Sequence, residues 1–525
     1  MAITINKKAS NSGRTAAGFD FYSGLILYGT APTVDGKWGL SQSSLFPSVQ
    51  VACQQMFSKD DIESSGIIPY SDNTASTATV LLTAAGVTGD NLVVKCLVKQ
   101  KGLSDSLVTL CNYTVPLAST ASLTLQGADI IALINSTTYL HGFSASFATA
   151  TVTITAPKNQ GIGLNTGTPY TAIPTGTIAV TVTQSVIAGT YSKMAIWAYH
   201  ISEYFRKNPT GTVWVGIISA TSNYNEILSL QSAAKNNIRQ VGIYDDNATS
   251  GIAANIQGTC QKIQTSALLI DQTFPLEVIY SPNIKAVTDL STMPSGQLVA
   301  YNKVSVITSQ DGNALGNYLY RISGISIGNI GAKLGTLSSS RVSADDSQAI
   351  EQFNLSDGEE NDIPAFANGQ LLSSISLNLQ AQLSAYRYIF FRVFTGNVSG
   401  TFWTANCCYC VQTNRYAFMN DNRVMDKVTR ICNKVYIPLM NSEVIYNQDG
   451  TISQSQVEIF QDAGVDGITA EMITGYGSMP LMSGTPIVTV DPNQPLQKTN
   501  NLIVSVQIGE NGIARDITIN ESFTN

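Results

Sequence analysis

The chain has 525 residues, a length that supports roughly three or four domains and several hydrophobic cores. Charged residues make up only 12% of it and the formal charge is −7, a balance that argues against binding a phosphate backbone as its main task. The only histidines, His141 and His200, leave almost no material for histidine catalysis or multi-histidine metal sites.

So low a charge leaves much of the surface neutral, which suits a chain that packs repeatedly against neighbours. The start, Met1 to Lys8, has no apolar run behind its charges and does not read as a secretory signal. No stretch reaches the roughly 18 uninterrupted apolar residues of a membrane span. Folding in the cytoplasm is therefore expected, with the eight scattered cysteines as thiols.

Taken in chain order, Ile3 and Ile5 alternate with polar residues, and Phe19, Phe21, Leu25 and Leu27 continue the period of two, which predicts short strands. From 58 to 184 the composition shifts to Ser, Thr, Gly and Ala with β-rich runs such as 91–98 and 150–155 and no long helical period. This predicts a separate, sandwich-like β domain. From 185 the rhythm is helical, with Met194, Trp197, Ile201 and Phe205 on one face. Strands at 213–218, 240–244, 276–280 and 303–307 then alternate with helices near 225–237 and 252–269, the order of a mostly parallel sheet covered by helices. A helix near 371–385 leads into a strand at 388–394, and helices follow at 421–437 and 454–462. Two final strands, 502–508 and 513–519, flank Gly509-Glu510-Asn511-Gly512 and read as a hairpin. The fold class is multidomain α+β with an α/β middle, divided as 1–57, 58–184, 185–394 and 395–525.

The helix at 421–437 carries the sharpest pattern. Val424, Val428, Ile431 and Val435 form an apolar stripe, and Arg423, Lys427, Arg430 and Lys434 repeat the same spacing one residue earlier. In a charge-poor, acidic chain this basic row is a candidate contact surface, although a solvated face beside a core stripe has the same pattern. Cys407 and Cys410 have C-x-x-C spacing but no second pair, so buried thiols are favoured over zinc or redox chemistry. Glycines at 324, 328, 331 and 335 lack the ending of a phosphate loop and suit close helix packing. The acidic pairs Asp245-Asp246 and Asp345-Asp346 lack calcium-loop spacing and read as loop caps. No catalytic constellation stands out.

The order of parts, with the run Thr395-Gly396-Asn397-Val398-Ser399-Gly400-Thr401-Phe402-Trp403 ahead of the basic helix, resembles the tail sheath proteins of contractile bacteriophages and related injection systems. The resemblance covers roughly 1–57 and 185–525, and the chain lacks the Trp-Gly-Ala-Arg-Thr-like sequence that many sheath proteins carry at that position. It implies a helical homopolymer in the virion tail, assembled in the host bacterial cytoplasm. The partners would be a tail tube protein and baseplate and tail terminator proteins, with no nucleic acid and no stable membrane insertion. It also implies no enzyme activity, no cofactor and no metal. By position, Arg423, Lys427, Arg430 and Lys434 would face the tube. Ile3 and Ile5 at one end, and Leu502, Val504, Val506, Ile508, Ile517 and Ile519 at the other, would be strands exchanged between subunits. One alternative is a virion protein whose β domain binds a receptor or carbohydrate. Another is a nucleotide site near Ser219, Asp245 and Ser281, which lacks its glycine fingerprint.

Overall fold

The structure is a computed structural model that describes residues 20–29, 51–57, 59–60, 72–100, 104–157, 160–165, 167–191, 193–218, 223–246, 253–394, 398–476, 479–499 and 502–513. Ile3, Ile5, Ile517, Ile519 and Ser219 lie outside these residues.

A seven-stranded sheet organises the middle of the chain. Its strands are β1 (Tyr22–Tyr28), β2 (Val51–Phe57), β3 (Thr212–Ile218), β4 (Gln240–Asp245), β5 (Glu277–Pro282), β6 (Val304–Ile307) and β7 (Tyr388–Ile389). They lie in the order β7-β6-β5-β4-β1-β3-β2, parallel except for β2, which pairs antiparallel with β3 at one edge. β1 sits between β3 and β4, so the beginning of the chain supplies an inner strand of the middle sheet. The inner strands are buried almost throughout, as continuous Val, Ile and Leu runs require when helices cover both faces. The expected strand at 388–394 is divided: β7 joins this sheet, and Phe391–Val393 turns away to pair with Thr401–Trp403.

Helix α1 (Lys193–Lys207) packs on this sheet beside α2 (Leu315–Ser323) and α3 (Ile330–Ser339). Gly331 and Gly335 of α3 lie against the backbone of α1: a Cβ on Gly331 would overlap the His200 carbonyl, and one on Gly335 would lie 2.7 Å from the Tyr204 oxygen. Gly331 and Gly335 thus serve close helix packing, as expected, whereas Gly324 and Gly328 lie outside the helices in left-handed conformations at φ 70° and 68°. His200 is fully buried against Tyr244, 4.6 Å between ring centroids, and burial pushes it down to about 3, so it is a neutral core ring.

The β-rich region forms two antiparallel sheets around a core of its own. Four strands, Ala179–Ile187, Thr77–Ala84, Thr151–Thr155 and Ser144–Ala148, make one sheet, and Ser106–Thr114, Asn91–Val98 and Tyr170–Thr175 make the other. Val80, Leu92, Val94, Leu110, Val152 and Ile154 fill the space between them. The expectation of no long helix here is corrected by Leu123–Ser136, which the Ser122 side chain caps and which buries Gln126, Ile130 and Ile134 at four-residue spacing. Among Ser, Thr and Ala the stripe was too short to register as a helical period.

Three further departures share one cause, local breakers that packing overrides. The helix expected at 454–462 runs to Met472 through Gly464 and Gly467, because Tyr436 and Val435 press into the space where their Cβ atoms would be. A strand at Ser483–Val490, unannounced because it holds Pro486, pairs with Val504–Gly509 across a register irregularity between Ser483 and Ile487. The expected partner of the last strand, 513–519, lies almost wholly outside the described residues. Helix α2, with Leu315, Tyr318, Leu319 and Ile322 at helical spacing, stands where the sequence announced no element, and it holds Gly316.

The glycine contact sets a test. Gly331→Ala should destabilise the protein by about 1–3 kcal/mol through overpacking. Gly258→Ala, in the Ala253–Leu268 helix with nothing within 4 Å of its Cβ position, should be neutral or stabilising by roughly 0.5–1 kcal/mol. Urea midpoints of the two variants measure the difference, and equal shifts would refute the close-packing role.

Candidate functional site

Helix α4 (Met419–Tyr436) lies across the amino-terminal ends of the parallel strands. Its side chains reach residues that stand just before a strand: Asp20 before β1, Pro275 before β5, and Asn302 and Lys303 before β6. Neutral bonds frame the contact, with Asn422 Nδ2 donating to the Asn302 carbonyl at 2.8 Å and Asn433 Nδ2 to the Gln272 carbonyl at 2.9 Å.

Two buried charge clusters occupy the seam. In one, Lys303 Nζ is paired with Asp426, lies 2.9 Å from Asp271 and 3.5 Å from Glu277. In the other, Asp20 accepts Lys427 at one carboxylate oxygen and Arg430, at 3.3 Å, at the other. Arg423 extends this row toward the end of α3, donating to Ser340 Oγ at 3.1 Å. Burial pulls Lys303 down, but Asp426, Glu277 and Asp271 outweigh it and hold the ammonium above its ordinary value. Burial pushes Glu277 well up against the pull of Lys303, which favours its neutral acid form. Arg239, at the foot of β4, is pushed down to about 9 by burial and by neighbouring Arg430.

The basic row is corrected by this placement. Arg423 and Lys427 are 4% and 2% exposed and face the inside of the chain, so they cannot form a surface for another molecule in this conformation. Arg430 is mostly buried beside Asp20, and only Lys434, with its side chain 72% exposed and 2.5 Å from Glu471, reaches the outside. The row is neither a solvated face nor a cationic patch. It is one half of an internal ionic seam whose other half comes from strand ends far away in sequence. The apolar stripe does what its spacing predicts: Val424, Val428 and Ile431 pack with Ile468, Met472 and Leu481.

Helix α5 (Gln454–Met472) and strands β8 (Ser483–Val490) and β9 (Val504–Gly509) complete the C-terminal lobe. β8 and β9 form a two-stranded antiparallel sheet, and among the described residues each is bonded along one edge only. Leu502, Val504, Val506 and Ile508 are half-buried and turned toward the lobe's own small cores. A groove of about 810 Å³, lined by Tyr436, Leu439, Met440, Phe460, Leu502 and Val504, opens at the start of β9.

The remaining candidates resolve simply. Cys407, Cys408 and Cys410 are buried free thiols pushed up by burial, in keeping with the structural reading. Asp345 caps its loop through the Ser347 amide and hydroxyl. Asp346, by contrast, is fully buried, 2.6 Å from Lys333 Nζ and accepting from Thr336, which in turn accepts from Trp403. Asp245 accepts from the Tyr224 hydroxyl at 2.9 Å, and Ser281 lies under Gly328. Among the described residues no cluster of three His, Cys, Asp or Glu is arranged to hold a metal, and no helix is long and apolar enough to cross a membrane.

Residues 416–525, from the approach to α4 to the end of the chain, match the family described as DUF2586, C-terminal domain. No curated protein matches the chain. Among solved structures, a chain of the anti-feeding prophage baseplate, seen by cryo-electron microscopy with 6-fold symmetry applied, is similar over 62% of this chain and 80% of its own, at 11% identity and a TM-score of 0.39.

Removing one member of a buried ion cluster leaves its partners desolvated, at a cost of about 3–5 kcal/mol. Asp20→Ala should therefore lower the unfolding free energy by about that much, whereas Lys434→Ala should change it by less than about 0.5 kcal/mol. Chemical denaturation of the full chain measures both, and a small effect of Asp20→Ala would show that the seam does not hold the lobe.

Proposed function

We propose that the chain is the structural subunit of a contractile tail sheath, a helical homopolymer that surrounds a tail tube and shortens to drive it through a cell envelope. The observation that carries this reading is the two-stranded sheet: among the described residues β8 and β9 each leave one main-chain edge unpaired, in a lobe otherwise anchored to the middle sheet. An open strand edge accepts another chain's strand by directional hydrogen bonds, and a contact of that kind between unlike surfaces propagates as a helix when its rotation does not close. The order of parts along the sequence supports the same reading, as do the low charge and the separately cored β domain set between β2 and β3.

The proposal gives the chain no catalytic step, nucleotide or cofactor. Extended and contracted states would differ in how whole subunits pack, with the lower free energy in the contracted state. Baseplate and terminator proteins would cap the ends of the polymer. Of the basic row, Lys434 is left to meet a tube.

Because β9 is part of the lobe's own sheet, the informative truncation spares it and removes 514–525. Negative-stain electron microscopy at rising concentration should show hollow striated tubes for the full chain and only single particles or short rings for the truncated one. Ordered tubes from the truncated chain would overturn the role of the terminal arm. A full chain that stays monodisperse even with tube protein added would overturn the sheath reading itself.

A further inference from the structure

The sharpest unspent feature lies away from the seam, where three carboxyl groups meet beneath an acidic loop. Residues 356–362 run just ahead of the strand Pro364–Phe366, which pairs with Ser309–Asp311. Asp311, fully buried, accepts from the amides of Asn361 at 2.9 Å and Asn313 at 3.1 Å through one oxygen and from that of Asn317 at 3.4 Å through the other. Glu360 Oε1 accepts from the Leu315 amide, the first of α2, at 2.9 Å. Its second oxygen is buried with no donor to accept from, although the side chain is only 9% exposed.

The charges around this point do not balance. α1 contributes Glu203, Arg206, Lys207 and the Tyr199 hydroxyl; the strand end contributes Asp311; the loop contributes Asp357 and Glu360. Arg206 is already spent, holding both Glu203 oxygens at 2.7 Å and Asp357 at 3.2 Å. Lys207 donates to the Asn354 carbonyl. That leaves Glu360 and Asp311 facing each other with no cation between them.

We propose that residues 356–362 are a proton-operated strap, closed over the ends of α1 and α2 while Glu360 and Asp311 share a proton and released when that proton leaves. The Tyr199 hydroxyl is another buried oxygen of this cluster with no hydrogen-bond partner. A proton on Glu360 Oε2 turns that unsatisfied carboxylate oxygen into a donor to Asp311 and removes a like-charge contact in one step. The rest of the strap is tied to the same point: Asn361, in a left-handed conformation at φ 59°, donates through its side chain to Glu203 at 3.3 Å and accepts from Asn329 at 2.8 Å.

Burial pushes the Glu360 carboxyl up to about 8, and the charges of Asp311 and Glu203 add to the shift. A raised carboxyl favours the closed strap most fully below its ordinary value of 4.5, and the advantage is lost as pH rises through about 8. Across that window opening should become about tenfold easier per pH unit.

Hydrogen exchange of the full chain, followed by mass spectrometry between about pH 6 and pH 9 and corrected for intrinsic rates, reads this directly. Peptides covering 311–317 and 356–362 should open about tenfold more per unit up to about pH 8 and then level off, while a peptide covering 91–98 should not follow them. Glu360→Gln, whose amide can donate to Asp311 at every pH, should flatten the dependence. An equal slope in wild type and Glu360→Gln would overturn the proposal. So would a flat wild-type profile, which decides the matter even if the variant does not fold.

Discussion

The arrangement of this chain depends on one buried contact, the ionic seam between α4 and the amino ends of the parallel strands. Charges taken out of water are costly unless they meet partners in good geometry, so a seam of this kind admits very few relative positions of the two bodies. Asp20 shows how strict the fit is. It stands just before β1, yet it answers Lys427 and Arg430, which lie more than 400 positions later. An apolar interface of the same size would tolerate sliding. This one does not, because a displacement of one helical turn would leave Lys303, Asp426 or Asp20 without its partner.

From that constraint the rest of the C-terminal lobe follows. α4 presents its valine stripe away from the sheet, α5 packs on the stripe, and the glycines at 464 and 467 let the two helices come close enough for Tyr436 to donate to the Phe460 carbonyl at 3.0 Å. β8 and β9 then have a surface to lie on. A two-stranded sheet is marginal by itself, and here Val488, Val490, Val504 and Val506 bury one face against the helices.

The sequence makes the α/β middle easy to read because buried parallel strands are runs rich in Val, Ile and Leu, as in 213–218 and 276–280, and the helices Glu226–Ala233 and Ala253–Leu268 separate the strands at 212–218, 240–245 and 277–282. It also shows that α4 has two faces. It does not show that the charged face points inward, since Arg423 and Lys427 look identical from the sequence whether they meet water or Asp20. A weak signal was present in Glu277 and Lys303, charged residues set at the very start of apolar strands. Such residues have to be explained by a partner across the strand ends, and α4 is that partner. Where local composition misled, at Gly464, Gly467 and Pro486, the residue was a breaker by propensity and a packing solution by context.

The same logic separates the two ionic centres of the molecule. The seam sets Lys303 against Asp426 and Asp20 against Lys427 and Arg430, so its geometry is fixed by pairing, with burial favouring the neutral acid at Glu277. The cluster under 356–362 has more carboxyls than cations: Arg206 is committed to Glu203 and Asp357, and a proton has to supply what a second guanidinium would. One centre thus joins the lobe to the sheet permanently, while the other holds a surface loop by a bond that solvent can withdraw.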